Sequence, residues 1–351
     1  MRDSATPRLA ARERGDILET MQWLQSRTAK RVLTVAIAVV VIGGIVRAVS
    51  SARGDADVLR APDSEDVAAL SGIDAPPDTT NVATLTPFAV ADTMFGRSGK
   101  VRFRTLTRAS AATLGGFIRA YGEPAIRTPG VHQVAVNGTQ TSFAFIVMRP
   151  FGEKRGEVLQ GYRLGRWPSE RWMMGRKYWN PDGFIEVTPT NAGLRLSEHF
   201  VLAQFLTHDQ RDVWPKYVVL QEQLIDKLEL VLADLAAHGV STDRVRILSG
   251  FRAPYYNDKI VAEGAARASR HQYGDAADVI IDANGDGRMD DLNHDGRLDL
   301  SDTQVILRSV ERVEQAYPAL VGGLGLYHAM GASGPFAHID VRGTSARWSK
   351  E

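Results

Sequence analysis

Apolar and polar positions change their period along the chain, and the change predicts two regions of different structure. Between residues 99 and 190, stretches such as QTSFAFIVM and GFIEVTP hold aromatic and β-branched residues between Gly and Pro, which predicts a small β-rich domain. In residues 196–209 and 221–239, apolar side chains recur three and four positions apart, which is typical of amphipathic helices.

The remaining pattern after residue 239 mixes strands with one helix. VRILSG, AADVIID and FAHIDVR predict strands, and TQVILRSVERVEQAY predicts a helix. We therefore expect residues 196–351 to form an α+β domain, a small antiparallel sheet with flanking helices.

The N-terminal part is different again. Residues 32–46 are apolar and uncharged between Arg31 and Arg47, which favours an N-terminal transmembrane helix over a buried core helix. Basic residues are concentrated ahead of this stretch, so we expect residues 1–31 in the cytoplasm and the rest on the periplasmic or extracellular side. Residues 47–98 are rich in Ala, Asp, Pro, Ser and Thr and read as a linker.

The composition limits which kinds of partner and of metal ligand are expected. The chain has 351 residues, with 42 Lys plus Arg against 41 Asp plus Glu, a formal net charge of +1 and no Cys. An even charge balance disfavours a nucleic-acid partner. The lack of Cys excludes disulfides and thiolate metal sites, so a metal here needs His, carboxylate, amide or backbone ligands.

Two histidines and one carboxylate stand out in the C-terminal region. His271 lies in a turn-like stretch just before Asp278, and His338 lies on a later predicted strand, where alternation places it on the same face as Asp340 and Arg342. Two His and a carboxylate are a ligand set of catalytic zinc. A hydrogen-bonded His and carboxylate pair without metal is the alternative.

The order of these residues also resembles a known family. Ser269-x-His271-x-x-Gly274-x-Ala276-x-Asp278, followed far along the chain by a strand His, resembles the zinc D-Ala-D-Ala metallopeptidases, whose relatives include the signalling domain of hedgehog. The stretches SGFRAP and FAHIDVR are similar to the branch of that family found in little-characterised bacterial wall proteins.

The resemblance implies particular roles. The zinc ligands would be His271, Asp278 and His338, while Arg252 and Ser269 would grip a carboxylate or carbonyl of a cell-wall peptide. A plain surface charge is the alternative for Arg252.

The expected general base is not at its usual place. Other branches of the family carry a Glu or His two or three residues before the last ligand, but here those positions are Phe336 and Pro335, which cannot accept a proton. Asp340 and His328 are the remaining candidates. Asp340 is equally suited to orienting His338.

An Asp-rich stretch, residues 282–302, predicts a second kind of metal site, for calcium. It resembles a dockerin-like half EF-hand with Gly296 at the sixth position. The expected ligands are Asp291, Asn293, Asp295, the backbone of Arg297, Asp299 and Asp302. A weaker, overlapping second calcium site would use Asp282, Asn284 and Asp286. A solvated acidic loop is the alternative.

Together these features predict a membrane-anchored zinc metallopeptidase that hydrolyses peptidoglycan stem peptides with metal-activated water. Two other hypotheses remain open. One is a zinc-containing module that binds wall peptides without cutting them, and the other is an extracellular structural protein stabilised by calcium.

Overall fold

The computed structural model describes residues 88–136, 142–171, 178–328 and 333–350. The first part forms a three-stranded sheet in the order β1–β3–β2, in which β1 and β3 are parallel and β2 and β3 are antiparallel. Its elements are β1 (Phe103–Leu106), α1 (Arg108–Thr113), α2 (Gly115–Tyr121), α3 (Glu123–Arg127), β2 (Gly130–Ala135) and β3 (Ser142–Val147).

Strand β3 is apolar on both faces because both faces are covered. Phe143 and Phe145 belong to a local cluster with the three helices, whereas Ala144 and Ile146 belong to the main core. The continuous apolar run in the sequence is therefore a strand buried between two layers.

The middle part contains two small antiparallel sheets, one in the order β4–β7–β8 and one hairpin, β5–β6. The elements here are β4 (Arg149–Pro150), β5 (Val158–Leu159), β6 (Tyr162–Arg163), α4 (Pro168–Arg171), β7 (Gly183–Val187) and β8 (Lys216–Val218).

The last part holds a five-stranded sheet in the order β13–β11–β12–β10–β9. Its elements are α5 (Glu222–Ala237), β9 (Val245–Ser249), α6 (Pro254–Ile260), β10 (Ala276–Ile281), α7 (Leu300–Ala316), β11 (Gly323–Tyr327), β12 (Phe336–Asp340) and β13 (Ala346–Lys350). Helices α5 and α7 pack against each other, and α7 packs on β11 and β12. The strands and the helix predicted after residue 239 are thus confirmed.

Helix α5 ties the first part of the chain to the last. Its carboxylates Glu222, Asp226 and Glu229 lie on successive turns and accept backbone N–H groups of distant segments. Asp226 accepts from Arg97 and Ser98 at 2.8 Å each, and Glu229 accepts from His199 at 2.9 Å. These charged acceptors satisfy amides that packing on the helix would otherwise leave buried and unpaired.

The predicted fold class, a small antiparallel α+β sheet with flanking helices preceded by a separate β-rich domain, is wrong. The structure is mixed α/β with several small sheets. Strand β13 joins β11 in parallel, so the main sheet is not purely antiparallel. The described residues between 99 and 190 include four α-helices, and one hydrophobic core runs from Val101 to Ile339 across the expected domain boundary.

A second prediction, a helix over residues 196–209, is also wrong. This stretch holds one short 3-10 turn, Leu202–Phe205, flanked by extended backbone. Phe200, Leu202 and Phe205 are all fully buried. The apolar spacing that resembles a helix therefore belongs to an irregular segment inside the core, which periodicity cannot distinguish from a helix.

No helix in the described ranges is long and apolar enough to cross a membrane. The predicted anchor, residues 32–46, lies outside those ranges, as do residues 1–31 and the predicted linker up to residue 87.

Candidate metal centre

Two paired strands and one tight turn bring His271, Asp278 and His338 together. Asp278 on β10 lies directly opposite His338 on β12 in the antiparallel register, and such opposite side chains are neighbours on one sheet face. His271 lies in the 3-10 turn Arg270–Tyr273, which ends at Gly274. Gly274 has a φ of +63°, and a Cβ there would meet the Val219 carbonyl oxygen at 2.0 Å, so only glycine lets the turn reverse.

The three side chains form a tight triangle. The His338 Nδ1 lies 2.9 Å from the Asp278 Oδ1, the His271 Nε2 lies 3.2 Å from the same oxygen, and the two ring nitrogens are 3.1 Å apart. All three residues are buried, and together they could hold a metal ion. In the described part of the chain, no other three His, Asp or Glu ligand atoms approach one another this closely.

The hydrogen bonds behind the triangle fix which ring nitrogens face it. The His271 Nδ1 is 2.7 Å from the Gly250 carbonyl oxygen, and since a carbonyl only accepts, this nitrogen donates. The His338 Nε2 lies 3.1 Å from the Asp340 Oδ2 and donates to that carboxylate. The lone pairs of both rings therefore face the Asp278 carboxylate, as in metal sites where a second partner orients each histidine.

Three lone-pair atoms this close repel one another unless a cation or a proton lies among them. For tetrahedral zinc with bonds of about 2.0–2.1 Å, neighbouring ligand atoms are about 3.3 Å apart, so these residues fit such an ion. Without an ion, a proton on His338 takes the same role. Burial lowers the pKa of His338, but hydrogen bonds to Asp278 and Asp340 raise it above its ordinary value.

The neighbouring charges favour a neutral His271 and an ionised Asp278. Burial, together with the Arg252 charge, lowers the pKa of His271 to about 4, so the ring is neutral at pH 7. Burial raises the pKa of Asp278, but His271 and Arg252 outweigh it and hold that pKa well below its usual range. A neutral imidazole and an ionised carboxylate are the forms that bind metal.

Asp340 is placed to orient His338 rather than to take a proton from water. It is fully buried, and its Oδ1 accepts from the backbone N–H groups of Gly323 at 2.6 Å and Arg342 at 3.0 Å. Its Oδ2 accepts from His338 and from the Arg342 side chain. Because both oxygens are occupied, the geometry matches the orienting role that the sequence left open beside that of a general base.

The metal group lies in a cleft of about 690 Å³. Arg252, Ser269 and His328, predicted to bind substrate or transfer protons, all line it. Arg252 donates to the Ser249 Oγ at 2.8 Å and to the Asp278 Oδ2, so its guanidinium also holds a ligand in place. His328 is exposed at the rim.

Sequence reasoning missed two aromatic residues of this cleft, Tyr327 and Trp348. The Trp348 ring lies 5.3 Å from the His338 ring, and its Nε1 donates to the Tyr327 hydroxyl at 2.8 Å. Gly325 makes room for the indole, because a Cβ at that position would lie 2.4 Å from it. The available signal was a Gly-rich strand, β11, and a later strand with a tryptophan, β13. The sequence does not show that Gly325 lies opposite Trp348, because that depends on the register of the two strands.

Sequence reasoning also missed a network of buried charged side chains under the sheet. The Lys227 Nζ, fully buried on α5, donates to the Glu314 Oε1 at 2.7 Å and to the Asp340 carbonyl oxygen at 2.8 Å. Glu314 further accepts from Gly322 at 3.0 Å and from Arg347 at 2.6 Å. One lysine within the apolar stripe of a predicted helix was the available signal.

The acidic stretch, residues 282–302, is arranged differently. Its carboxylates accept mainly backbone N–H groups of the same loop: the Asp291 Oδ2 accepts from Gly296 at 2.8 Å and the Asp295 Oδ1 from Arg297 at 2.9 Å. Asp299 and Asp302 cap the start of α7 through reciprocal bonds. The carboxylates expected to hold calcium thus accept hydrogen bonds within the loop, and among the described residues no three of them lie as close together as His271, Asp278 and His338 do.

The overlapping set, Asp282, Asn284 and Asp286, has a different neighbourhood. Asp282 is buried, accepts from the Gly287 N–H at 3.2 Å and lies 3.5 Å from the Arg246 guanidinium. The Asn284 and Asp286 side chains accept N–H groups two residues ahead. A guanidinium therefore already provides positive charge at this end of the loop.

No family model, curated protein or solved structure matches this chain. The metal group and its cleft therefore have to be interpreted from their own chemistry.

Proposed function

We propose that the protein is a zinc-dependent peptidase that hydrolyses peptidoglycan stem peptides. The observation that carries this proposal is the buried triangle of His271, Asp278 and His338, which opens into a cleft. Two imidazoles and one carboxylate are the protein ligands of known catalytic zinc sites, which keep the fourth position open. When bound, zinc supplies Lewis-acid activation of water and of a carbonyl group.

The side chains around the triangle support hydrolysis rather than a purely structural metal site. A structural zinc has four protein ligands, whereas this group offers three and faces the cleft. Arg252 keeps Asp278 ionised and directed at the group, and Asp340 keeps the His338 ring in its ligand tautomer. His328, exposed at the rim of the cleft, is our proposed proton acceptor.

Two features support a wall peptide as the substrate. The motif around His271 resembles peptidases of D-Ala-D-Ala peptides, and four basic side chains line the cleft: Lys350 and three arginines that are each paired with a carboxylate, Arg252, Arg270 and Arg342. A peptide that ends in a carboxylate fits such a lining. Since peptidoglycan lies outside the cytoplasmic membrane, we place this part of the chain on the periplasmic or extracellular side. Membrane anchoring stays a prediction from the sequence.

One observation favours a second candidate, a module that binds wall peptides without cutting them. Asp340, one of two candidate bases, has both oxygens occupied by hydrogen bonds. If His328 does not transfer protons either, zinc and peptide would bind without hydrolysis.

Incubation of the zinc-loaded protein with purified muropeptides, followed by mass spectrometry, tests the proposal. We expect new peptide fragments with the wild type and none with His338→Ala. Retained peptide binding without fragments would favour the binding module. The absence of both would contradict any role in the cell wall.

We further propose that calcium binds residues 291–302 and stabilises the fold. The loop follows β10, which carries Asp278, and leads into α7, which packs on the strand of His338. Calcium would thus hold two elements that support the zinc ligands without contacting the substrate.

A further inference from the structure

We infer that Tyr327 is a catalytic residue, whose hydroxyl donates a hydrogen bond to the oxygen of the carbonyl group under attack. The inference rests on the proposed peptidase function and adds a residue to which neither the motifs nor the metal ligands point. No proton leaves the tyrosine, which remains bonded as a donor while negative charge develops on the substrate oxygen.

The register of the sheet places Tyr327 beside the metal group. In β11 and β12, Gly325 lies opposite His338, and Tyr327 lies opposite Phe336. Side chains two positions apart on a strand share a face, so Tyr327 is on the same face of the sheet as His338. Tyr327 and His338 both line the cleft that contains His271 and Asp278.

Two neighbours hold the phenol in one orientation. Its ring stacks on Phe336 with centroids 4.7 Å apart and planes inclined by 3°. Its oxygen accepts a 2.8 Å hydrogen bond from the Trp348 Nε1. Trp348 is itself fixed, because its ring covers Gly325 and lies 5.3 Å from the His338 ring.

The Trp348 bond also decides which way the hydroxyl acts. An indole N–H can only donate, so it occupies a lone pair of the Tyr327 oxygen and leaves the hydroxyl proton available. Within the described ranges no acceptor for that proton is present, while the residue lines a cleft that a substrate would fill. The hydroxyl is therefore a fixed hydrogen-bond donor whose acceptor would come from the substrate. Such a donor is suited to stabilising a developing oxyanion.

The test compares Tyr327→Phe with Tyr217→Phe in the zinc-loaded full chain. Tyr217→Phe is the matched control, since it removes a buried hydroxyl that donates to the Gln160 side chain at 2.8 Å, outside the residues that line the cleft. We expect Tyr327→Phe to keep its zinc affinity and KM for muropeptides while kcat falls roughly 100-fold. Unchanged kcat in Tyr327→Phe, or an equal fall in both variants, would overturn the inference.

A binding measurement separates this inference from the proposed function. A phosphinate analogue of a stem dipeptide carries a negatively charged oxygen on a tetrahedral phosphorus, whereas the ordinary dipeptide has a planar, uncharged amide at that position. By calorimetry, Tyr327→Phe should bind the phosphinate about 10 to 100 times more weakly and the dipeptide equally well. This result can be obtained even if no muropeptide is cut, in which case the proposed function fails alone. Equal phosphinate affinity would overturn the role of Tyr327.

Trp348 provides an independent check, because we assign it a positioning role through the hydroxyl. Trp348→Phe should weaken phosphinate binding in the wild-type background and cost little more when added to Tyr327→Phe. Additive losses would show that the indole acts on the site by another route and would contradict the assignment.

Discussion

The buried metal group and the acidic loop hold their candidate metal ligands in opposite ways. His271, Asp278 and His338 come from distant segments, and other parts of the fold orient each of them, through Gly250, Arg252 and Asp340. The carboxylates of residues 291–302 lie within one short segment and accept N–H groups of their own loop.

This difference shows which contacts determine ion binding at each site. In the metal group, tertiary contacts aim lone pairs of neutral or ionised ligands at one point, so binding depends on the whole sheet. In the loop, backbone N–H groups of local turns already donate hydrogen bonds to the carboxylates. We therefore expect substitutions at the metal group to change metal affinity strongly, and substitutions in the loop to change stability modestly.

The largest expected effect is the loss of zinc from Asp278→Asn. The amide keeps the shape of the side chain but removes the charged ligand, which should weaken zinc binding by roughly 4 kcal/mol, or about 1,000-fold. Competition with a chromogenic chelator measures it. Asp275→Asn is the control, because Asp275 is equally buried and paired with Arg270 but is not a ligand. Equal affinities of the two variants would mean that Asp278 is not a ligand.

Next in size is the effect of Lys227→Met on the free energy of unfolding without metal. It leaves Glu314 buried with less compensation and frees the Asp340 carbonyl, so we expect a loss of about 3 kcal/mol by urea denaturation. Arg127→Met, which removes an exposed ion pair with Glu123, should cost about 1 kcal/mol or less. Similar losses in both variants would mean that the network does not support the sheet.

Asp340→Asn should lower zinc affinity about 10- to 100-fold, because a weaker acceptor orients His338 less firmly. The same variant separates the two roles considered for Asp340. A general base would lose kcat at full zinc occupancy, whereas an orienting residue loses affinity and recovers activity when zinc is added in excess. Chelator competition together with rates at saturating zinc distinguishes these outcomes.

The smallest expected effect belongs to the acidic loop. Calcium at 100 times its dissociation constant would stabilise the fold by about 2.7 kcal/mol, and the short Asp at the twelfth position should raise the calcium concentration needed to reach that value. With zinc saturating in both proteins and calcium removed by dialysis, we expect added calcium to raise the melting temperature of the wild type by a few degrees and that of Asp291→Asn hardly at all. A wild-type melting temperature that calcium does not change would remove calcium from the account.

The sequence was sufficient for the local part of this structure. Strand β12 follows from alternation and β10 from an apolar run, and the spacing of His271 and Asp278 around Gly274 indicated that their side chains could meet. The sequence was not sufficient to predict contacts that depend on how distant segments pack together. Lys227 and Glu314 become partners only when α5 and α7 pack, and Tyr327 reaches the cleft only when β11 lies between β12 and β13.

The fold class was wrong for a related reason. Trp167, assigned from sequence to a separate β-rich domain, is fully buried and donates to the Gln272 carbonyl oxygen at 2.8 Å, next to His271. No local pattern indicates that this aromatic residue supports the turn of a metal ligand far along the chain.

The metal content of the purified protein under native mass spectrometry tests the central claim most directly. With zinc supplied and excess removed, the account predicts one tightly held zinc ion per chain, lost in His271→Ala and in His338→Ala but retained in His199→Ala, whose imidazole pairs with Glu229 elsewhere in the fold. A wild type without metal, or variants that keep the same ion, would contradict it.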